Sequence, residues 1–246
     1  MKILAIIPAR YESSRFPGKP LAPIAGVPLI QHVYDRVRLA SCVTDIAVAT
    51  DDERIYDTVT GFGGNCVLTE APCRTGSDRA AVAARLLDFA PDDIVVNVQG
   101  DQPLIAPETI AETVAPLLSP VDFGLVTPIF PTRDAEEIAS VKNVKVVCDK
   151  GGFALYFSRS PIPFARDPET PAQIYKHLGV YAFTKRFLGL FTGLPTGTLE
   201  DIEKLEQLRA LEFGYKIKAV ITRHDSPSVD VPEDIPRIEA LLAAAR

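Results

Sequence analysis

Short β-rich runs recurring along the first 150 residues, with helix-forming stretches between them, constrain this chain more than any other feature. They read KILAIIPA, DIAVATD, NCVLTE, DIVVNVQGD, FGLVTPIF and VKVVCD. Strands alternating with helices predict a mostly parallel sheet covered on both faces, because a parallel connection must cross back over the sheet. The intervening segments fit. PLIQHVYDRVRLA places Leu29, Ile30, Val33 and Val37 at core-facing spacing, and SDRAAVAARLLDFA opens on a Ser-Asp cap followed by an apolar stripe. The fold class is therefore α/β, an open sheet of the nucleotide-binding type.

From about residue 150 the rhythm breaks. GGFALYFSRSPIPFARDPETPAQIYKHLGVYAF is rich in proline and aromatic residues, and an insertion over roughly 150–185 is expected within one domain spanning 1–246. After it, YKHLGVYAF reads as a returning strand and LEDIEKLEQLRALEFG as a helix stopped by Gly214. KIKAVIT then reads as a strand and PEDIPRIEALLAAAR as a closing helix with Pro232 in its first turn.

A formal net charge of −6 excludes a general nucleic-acid binder, which would need a basic face. No apolar run approaches the length of a membrane span. The opening MKILAIIPAR reads as a buried first strand rather than a targeting segment. Cys42, Cys66, Cys73 and Cys148 lack the paired spacing of zinc or redox motifs, and are expected as free thiols in a reducing cytoplasm.

Against that acidic background one loop stands out. IPARYESSRFPGKPL puts Arg10, Arg15 and Lys19 directly after the first strand, at the sheet end where ligands of open α/β folds bind. Cations there suit a polyphosphate, although a solvated basic loop would carry the same residues. Asp101, ending the strand VVNVQGD, is placed to hold a hard cation such as Mg²⁺, or else to cap a turn. Asp230 in SVDVPEDI offers a second carboxylate and serves equally as an N-cap. In CRTGSDRA, Thr75, Gly76 and Ser77 precede a helix with Arg79 in its first turn, an arrangement that suits an anion or a plain cap. Arg159, His177 and Tyr181 lie amid aromatics, in a setting fit for an acidic, hydroxyl-rich ligand or for packing and an oligomer contact.

Taken together and in order, the motifs IPARYESSRFPGKPL, VATDDERI, TGSDR, NVQGD, ALYFSRSPIPF, HLGVYAF, LEQLRALEFG and VDVPEDI resemble the 3-deoxy-manno-octulosonate (Kdo) cytidylyltransferases over nearly the whole chain. The resemblance implies a Rossmann-like, glycosyltransferase-A-type nucleotidyltransferase fold. It implies a reaction in which the C2 hydroxyl of Kdo attacks the α-phosphorus of CTP, giving CMP-Kdo and pyrophosphate for lipopolysaccharide synthesis. By resemblance, Arg10 and Lys19 hold the triphosphate with Ser13 and Arg15 nearby. Ala9, Gly76, Ser77 and Arg79 contact the nucleotide, and Asp101 and Asp230 bind Mg²⁺. Gln99, Arg159, His177, Tyr181 and Glu206 surround the sugar acid. The same likeness implies a cytoplasmic homodimer, with the 150–185 stretch as sugar-site wall and interface. Gln102, Ser77, Ser228 and Val231 depart from the family's commoner GDEP, GTDR and GVDTPED. Two alternatives remain open on the sequence: the 8-amino-3,8-dideoxy analogue or another acidic sugar as acceptor, and a catalytically silent nucleotide-binding protein.

Overall fold

The computed structural model describes all residues except Ser14, residues 70–72, Pro168, Thr170, Pro171, Ala245 and Arg246. Glu70 of the expected strand NCVLTE and the last two residues of the expected closing helix lie outside the described residues. The first half comprises β1 (Ile3–Pro8), β2 (Pro23–Ile24), β3 (Val27–Pro28), α1 (Leu29–Arg38), β4 (Asp45–Thr50), α2 (Glu53–Gly61), β5 (Cys66–Leu68), α3 (Gly76–Leu86) and β6 (Ile94–Val98). Next come α4 (Pro107–Val114), β7 (Leu125–Thr132), α5 (Ala135–Ala139), β8 (Lys145–Cys148), β9 (Ala154–Ser158), β10 (Ile174–His177) and β11 (Val180–Thr184). The chain closes with α6 (Lys185–Gly193), α7 (Thr198–Glu203), α8 (Leu208–Glu212), β12 (Lys218–Ile221) and α9 (Ile235–Ala244).

The main sheet runs β5-β4-β1-β6-β11-β7-β10-β8-β9, with β12 paired to β7. Its β5-β4-β1-β6 half is wholly parallel. Strand β1 shows why this half sits at the centre of the molecule. Ile3, Ala5 and Ile7 point into one core with Leu29, Ile30, Val33 and Val37 of α1, while Leu4 and Ile6 point into the other with the alanines of α3. Each Ile or Leu buried this way contributes about 1.5–3 kcal/mol.

Strand β11 runs against this grain, pairing antiparallel with β6 on one side and β7 on the other. The stretch 150–185 therefore differs from the expected insertion: β9, β10 and β11 are built into the main sheet. The expected single strand YKHLGVYAF is two strands, β10 and β11, interrupted at Leu178 and Gly179. A Cβ on Gly179 would lie 3.2 Å from Gln102 Nε2 and 3.3 Å from Gln99 Cγ, so the break is where the chain passes closest to the end of β6. The expected helix over LEDIEKLEQLRALEFG is likewise broken, between α7 and α8, by Lys204 at φ 53°. A left-handed residue ends a helix, and this one turns Leu205, Glu206 and Gln207 towards the sheet.

Candidate active site

Three cavities meet along the ends of β1 and β6, and Gln99 lines all of them. Their volumes are about 780, 680 and 160 Å³.

The smallest lies between the loop after β1 and the start of α3. Ala9, Arg10, Gly76 and Arg79 come together on its wall. The cap of α3 is Thr75, two residues earlier than the expected Ser-Asp pair. Its hydroxyl accepts from Asp78 N (3.1 Å) and the Asp78 carboxylate accepts from Thr75 N (3.1 Å). This capping box satisfies two backbone donors of the helix end. Ser77 does not reach a cavity wall. It is fully buried, donates to Glu206 Oε1 (2.9 Å) and accepts from Asn97 Nδ2 (3.2 Å), and so supports the wall from behind. The buried Arg79 guanidinium is engaged by Asp51 (2.7 Å) and Thr69 (2.6 Å), while the residue lines this cavity. Ser13 accepts from Phe16 N (3.3 Å) within the loop and lines none of the three cavities. Gly18, at φ 71°, leaves only 3.2 Å between a notional Cβ and the Tyr11 ring, so a left-handed turn and Tyr11 require the glycine.

The second cavity brings Asp101 and Asp230 onto one wall. Residues 129 positions apart are joined there because Val229 N donates to the Asp101 carbonyl (2.9 Å). Each carboxylate already faces a cation of the opening loop. Lys19 Nζ lies 2.7 Å from Asp101 Oδ2 and donates to Val229 O (3.0 Å), while Arg15 Nη2 lies 3.0 Å from Asp230 Oδ1. The Asp230 backbone is held by Asp234, whose Oδ2 accepts from the N–H groups of Asp230 (2.7 Å) and Val231 (3.0 Å). Among the described residues no group of three or more His, Cys, Asp or Glu forms a self-contained metal cage. A pair of convergent carboxylates, each accepting a cation, nevertheless fits a hard divalent ion that takes its other ligands from phosphate oxygens and water.

The largest cavity gathers Gln99, Arg159, His177, Tyr181 and Glu206 on one wall, with Arg10 at its junction with the smallest. His177 Nε2 pairs with Thr127 Oγ1 (2.9 Å), and burial lowers its pKa to about 3, so the imidazole is neutral. Tyr181 donates to Gln207 Oε1 (3.0 Å), and burial followed by the charge of Glu206 raises its phenol well above the ordinary value. Burial also raises the Glu206 carboxyl, against hydrogen bonds from Thr75 and Ser77. Among the described residues, the buried Glu206 Oε2 and Gln207 Nε2 have no hydrogen-bond partner. An acceptor and a donor left open side by side suit a ligand carrying several hydroxyls.

Sequence reasoning missed Arg74, Gln207 and the buried Glu200–Arg209 pair on this wall. Gln207 and Arg209 were hidden because LEQLR reads as continuous helix, in which they are ordinary surface residues.

An open α/β sheet presenting a cationic loop, paired carboxylates and a polar cavity at its strand ends defines a nucleotidyltransferase-type protein. A family model described as Cytidylyltransferase matches residues 4–217. A 3-deoxy-manno-octulosonate cytidylyltransferase of Desulfosudis oleivorans is 66% identical over 99% of this chain and 98% of its own. An 8-amino-3,8-dideoxy-manno-octulosonate cytidylyltransferase of Shewanella piezotolerans is 55% identical over 99% of each. A solved structure of a CMP:2-keto-3-deoxy-manno-octonic acid synthetase complexed with CTP superposes with a TM-score of 0.92, at 37% identity and complete coverage of both chains. The chain belongs to the 3-deoxy-manno-octulosonate cytidylyltransferase family.

Proposed function

We propose that this chain transfers CMP from CTP to the C2 hydroxyl of 3-deoxy-manno-octulosonate with Mg²⁺, releasing pyrophosphate. The observation that carries the reading is the meeting of the three cavities at Gln99. A nucleotide in the smallest cavity and a sugar acid in the largest would have their reacting groups beside Asp101, Asp230 and Lys19. Bound at Asp101 and Asp230, Mg²⁺ would supply charge neutralisation at the phosphates and a lowered pKa for an attacking hydroxyl. Arg10 and Lys19 bind the triphosphate. Arg159, Glu206, Gln207 and Tyr181 orient the sugar acid, and neutral His177 offers a hydrogen bond without adding charge. Holding acceptor and donor in line accounts for most of the acceleration in such a displacement. No side-chain nucleophile is called for.

The enzyme works in the cytoplasm as a homodimer, and its product serves lipopolysaccharide synthesis. The edge strand β9, with Leu155 exposed, and the exposed Phe164 beyond it support an interface on that side. Light scattering of the purified protein tests the dimer, and a monomer at working concentration refutes it. Pyrophosphate release with CTP, Mg²⁺ and a panel of Kdo, its 8-amino analogue and a neuraminate-type acid tests the reaction. Turnover with Kdo is the expected result. Release with the 8-amino sugar and none with Kdo would transfer the assignment to that acceptor.

A further inference from the structure

Lys145, the first residue of β8, is fully buried, yet among the described residues no carboxylate is hydrogen-bonded to it. Its ammonium donates instead to three backbone carbonyls: Ser140 (2.9 Å), Asn143 (2.6 Å) and Arg159 (2.6 Å). All three of its N–H groups are used. Burial lowers its pKa, the nearby Arg159 adds to that effect, and Glu203 opposes it. An ammonium taken out of water and hydrogen-bonded to neutral carbonyls is a costly way to join three segments of main chain.

What the three carbonyls have in common is their position. Ser140 and Asn143 line the second cavity and Arg159 lines the largest, so Lys145 lies under the wall between them. Arg159 is gripped from both ends of its residue. Its N–H donates to Glu203 Oε2 (3.0 Å), and its carbonyl accepts from Lys145. Its guanidinium donates through Nε to Glu203 O (2.8 Å) and through Nη1 to Val141 O (2.9 Å). Val141 sits within the 140–143 turn that Lys145 closes, so Lys145 acts on Arg159 directly through the main chain and again through the carbonyl that aims the guanidinium. An arginine has five N–H donors. With a third bond, from Nη2 to Lys204 O (3.4 Å), two N–H groups are left pre-aimed and less side-chain entropy is lost when a ligand arrives.

We propose that Lys145 is a positioning residue that fixes Arg159, through its carbonyl and the 140–143 turn, to receive the sugar acid. The proposal rests on the functional reading above for the identity of the ligand, and on the hydrogen bonds alone for the positioning. It is tested with Lys145→Met, which keeps chain length and removes the donors. In a crystal structure of the variant, the Arg159 guanidinium is expected to leave the Val141 and Glu203 carbonyls. In pyrophosphate-release kinetics, KM for Kdo is expected to rise at least tenfold while KM for CTP stays within about twofold, a split that a general loss of stability would not produce. In an Arg159→Ala background the same substitution should add less than a further twofold. An unmoved guanidinium, or a Kdo KM within twofold of the parent, overturns the proposal. Should Lys145→Met not fold, Lys145→Gln, with two donors left, is judged by the same criteria. If the parent enzyme does not use Kdo at all, the functional reading fails alone and the position of Arg159 in the variant still decides.

Discussion

The pair Glu200–Arg209 offers the sharpest energetic test of how the wall of the large cavity is held. Arg209 donates through Nε to Glu200 Oε2 (2.7 Å) and through Nη2 to Oε1 (2.5 Å), with side-chain exposures of 1% and 9%. Glu200 Oε2 also accepts from Gly197 N (3.1 Å) at the start of α7. Removing one partner leaves the other charge buried and uncompensated, which costs about 3–5 kcal/mol. Glu200→Met and Arg209→Met should each fall in that range, lowering the melting temperature by roughly 6–20 °C for a chain of this size. The double variant removes both charges together and should recover roughly 2 kcal/mol or more of the summed loss, since an apolar pair of similar volume is tolerated where a lone charge is not. Urea unfolding of the four proteins closes the cycle. Single variants that each lose under about 1 kcal/mol, or losses that simply add, would refute the claim that the two charges stabilise the wall as a unit.

Three further outcomes are expected. Asp101→Asn and Asp230→Asn should fold normally and lose at least about 100-fold in kcat at saturating Mg²⁺ and CTP, as removal of a group stabilising transition-state charge does. Near-normal turnover of both would dismiss their role. The pKa of His177 is depressed to about 3 from 6.5 in the unfolded chain, so unfolding takes up a proton as the pH falls through that interval. Stability should drop on the acid side by up to about 1.4 kcal/mol per pH unit below pH 6.5, and urea midpoints of His177→Gln should show a shallower fall. A Cβ at Gly76 would stand 3.0 Å from Gln99 Nε2 and 3.2 Å from Pro8 Cγ. Gly76→Ala should therefore displace Gln99, raise KM for CTP several-fold and cost about 1–3 kcal/mol by overpacking, read by kinetics and melting.

What could be read from the sequence follows the reach of each signal. The parallel half was legible because its strands are apolar on both faces and its helices carry their core residues at 3.6-residue spacing, as α1 does with Leu29, Ile30, Val33 and Val37. Asp101 and Asp230 were legible as candidate ligands because each is an acid in a short apolar run that breaks into a turn or a proline. Their meeting was not, since it depends on the Val229–Asp101 hydrogen bond, which no local pattern announces. The insertion over 150–185 misled because proline and aromatic residues mask strand periodicity, and β11 shows its central place only through its partners β6 and β7. Ser77 and Arg79 stand at the start of α3, beside the smallest cavity. Their side chains support the wall because Glu206 and Asp51, far away in sequence, claim them first. Lys145 carried no signal at all. A lysine opening a strand is ordinary, and only the three carbonyls folded around it make it otherwise.

The charges around the opening loop explain why the functional reading couples nucleotide and metal. Lys19 and Arg15 balance Asp101 and Asp230 one for one. A triphosphate can claim those two cations only if the carboxylates they leave acquire another positive partner, since an uncompensated carboxylate beside phosphate is repelled. A divalent ion held by Asp101 and Asp230 would supply that positive charge, and nucleotide binding would then be an exchange of partners rather than a simple addition. Gly18 is pinned by its turn against Tyr11, and Lys19 also donates to the Val229 carbonyl beside Asp230. The Lys19 ammonium is thus held at the junction of the two segments that carry the carboxylates.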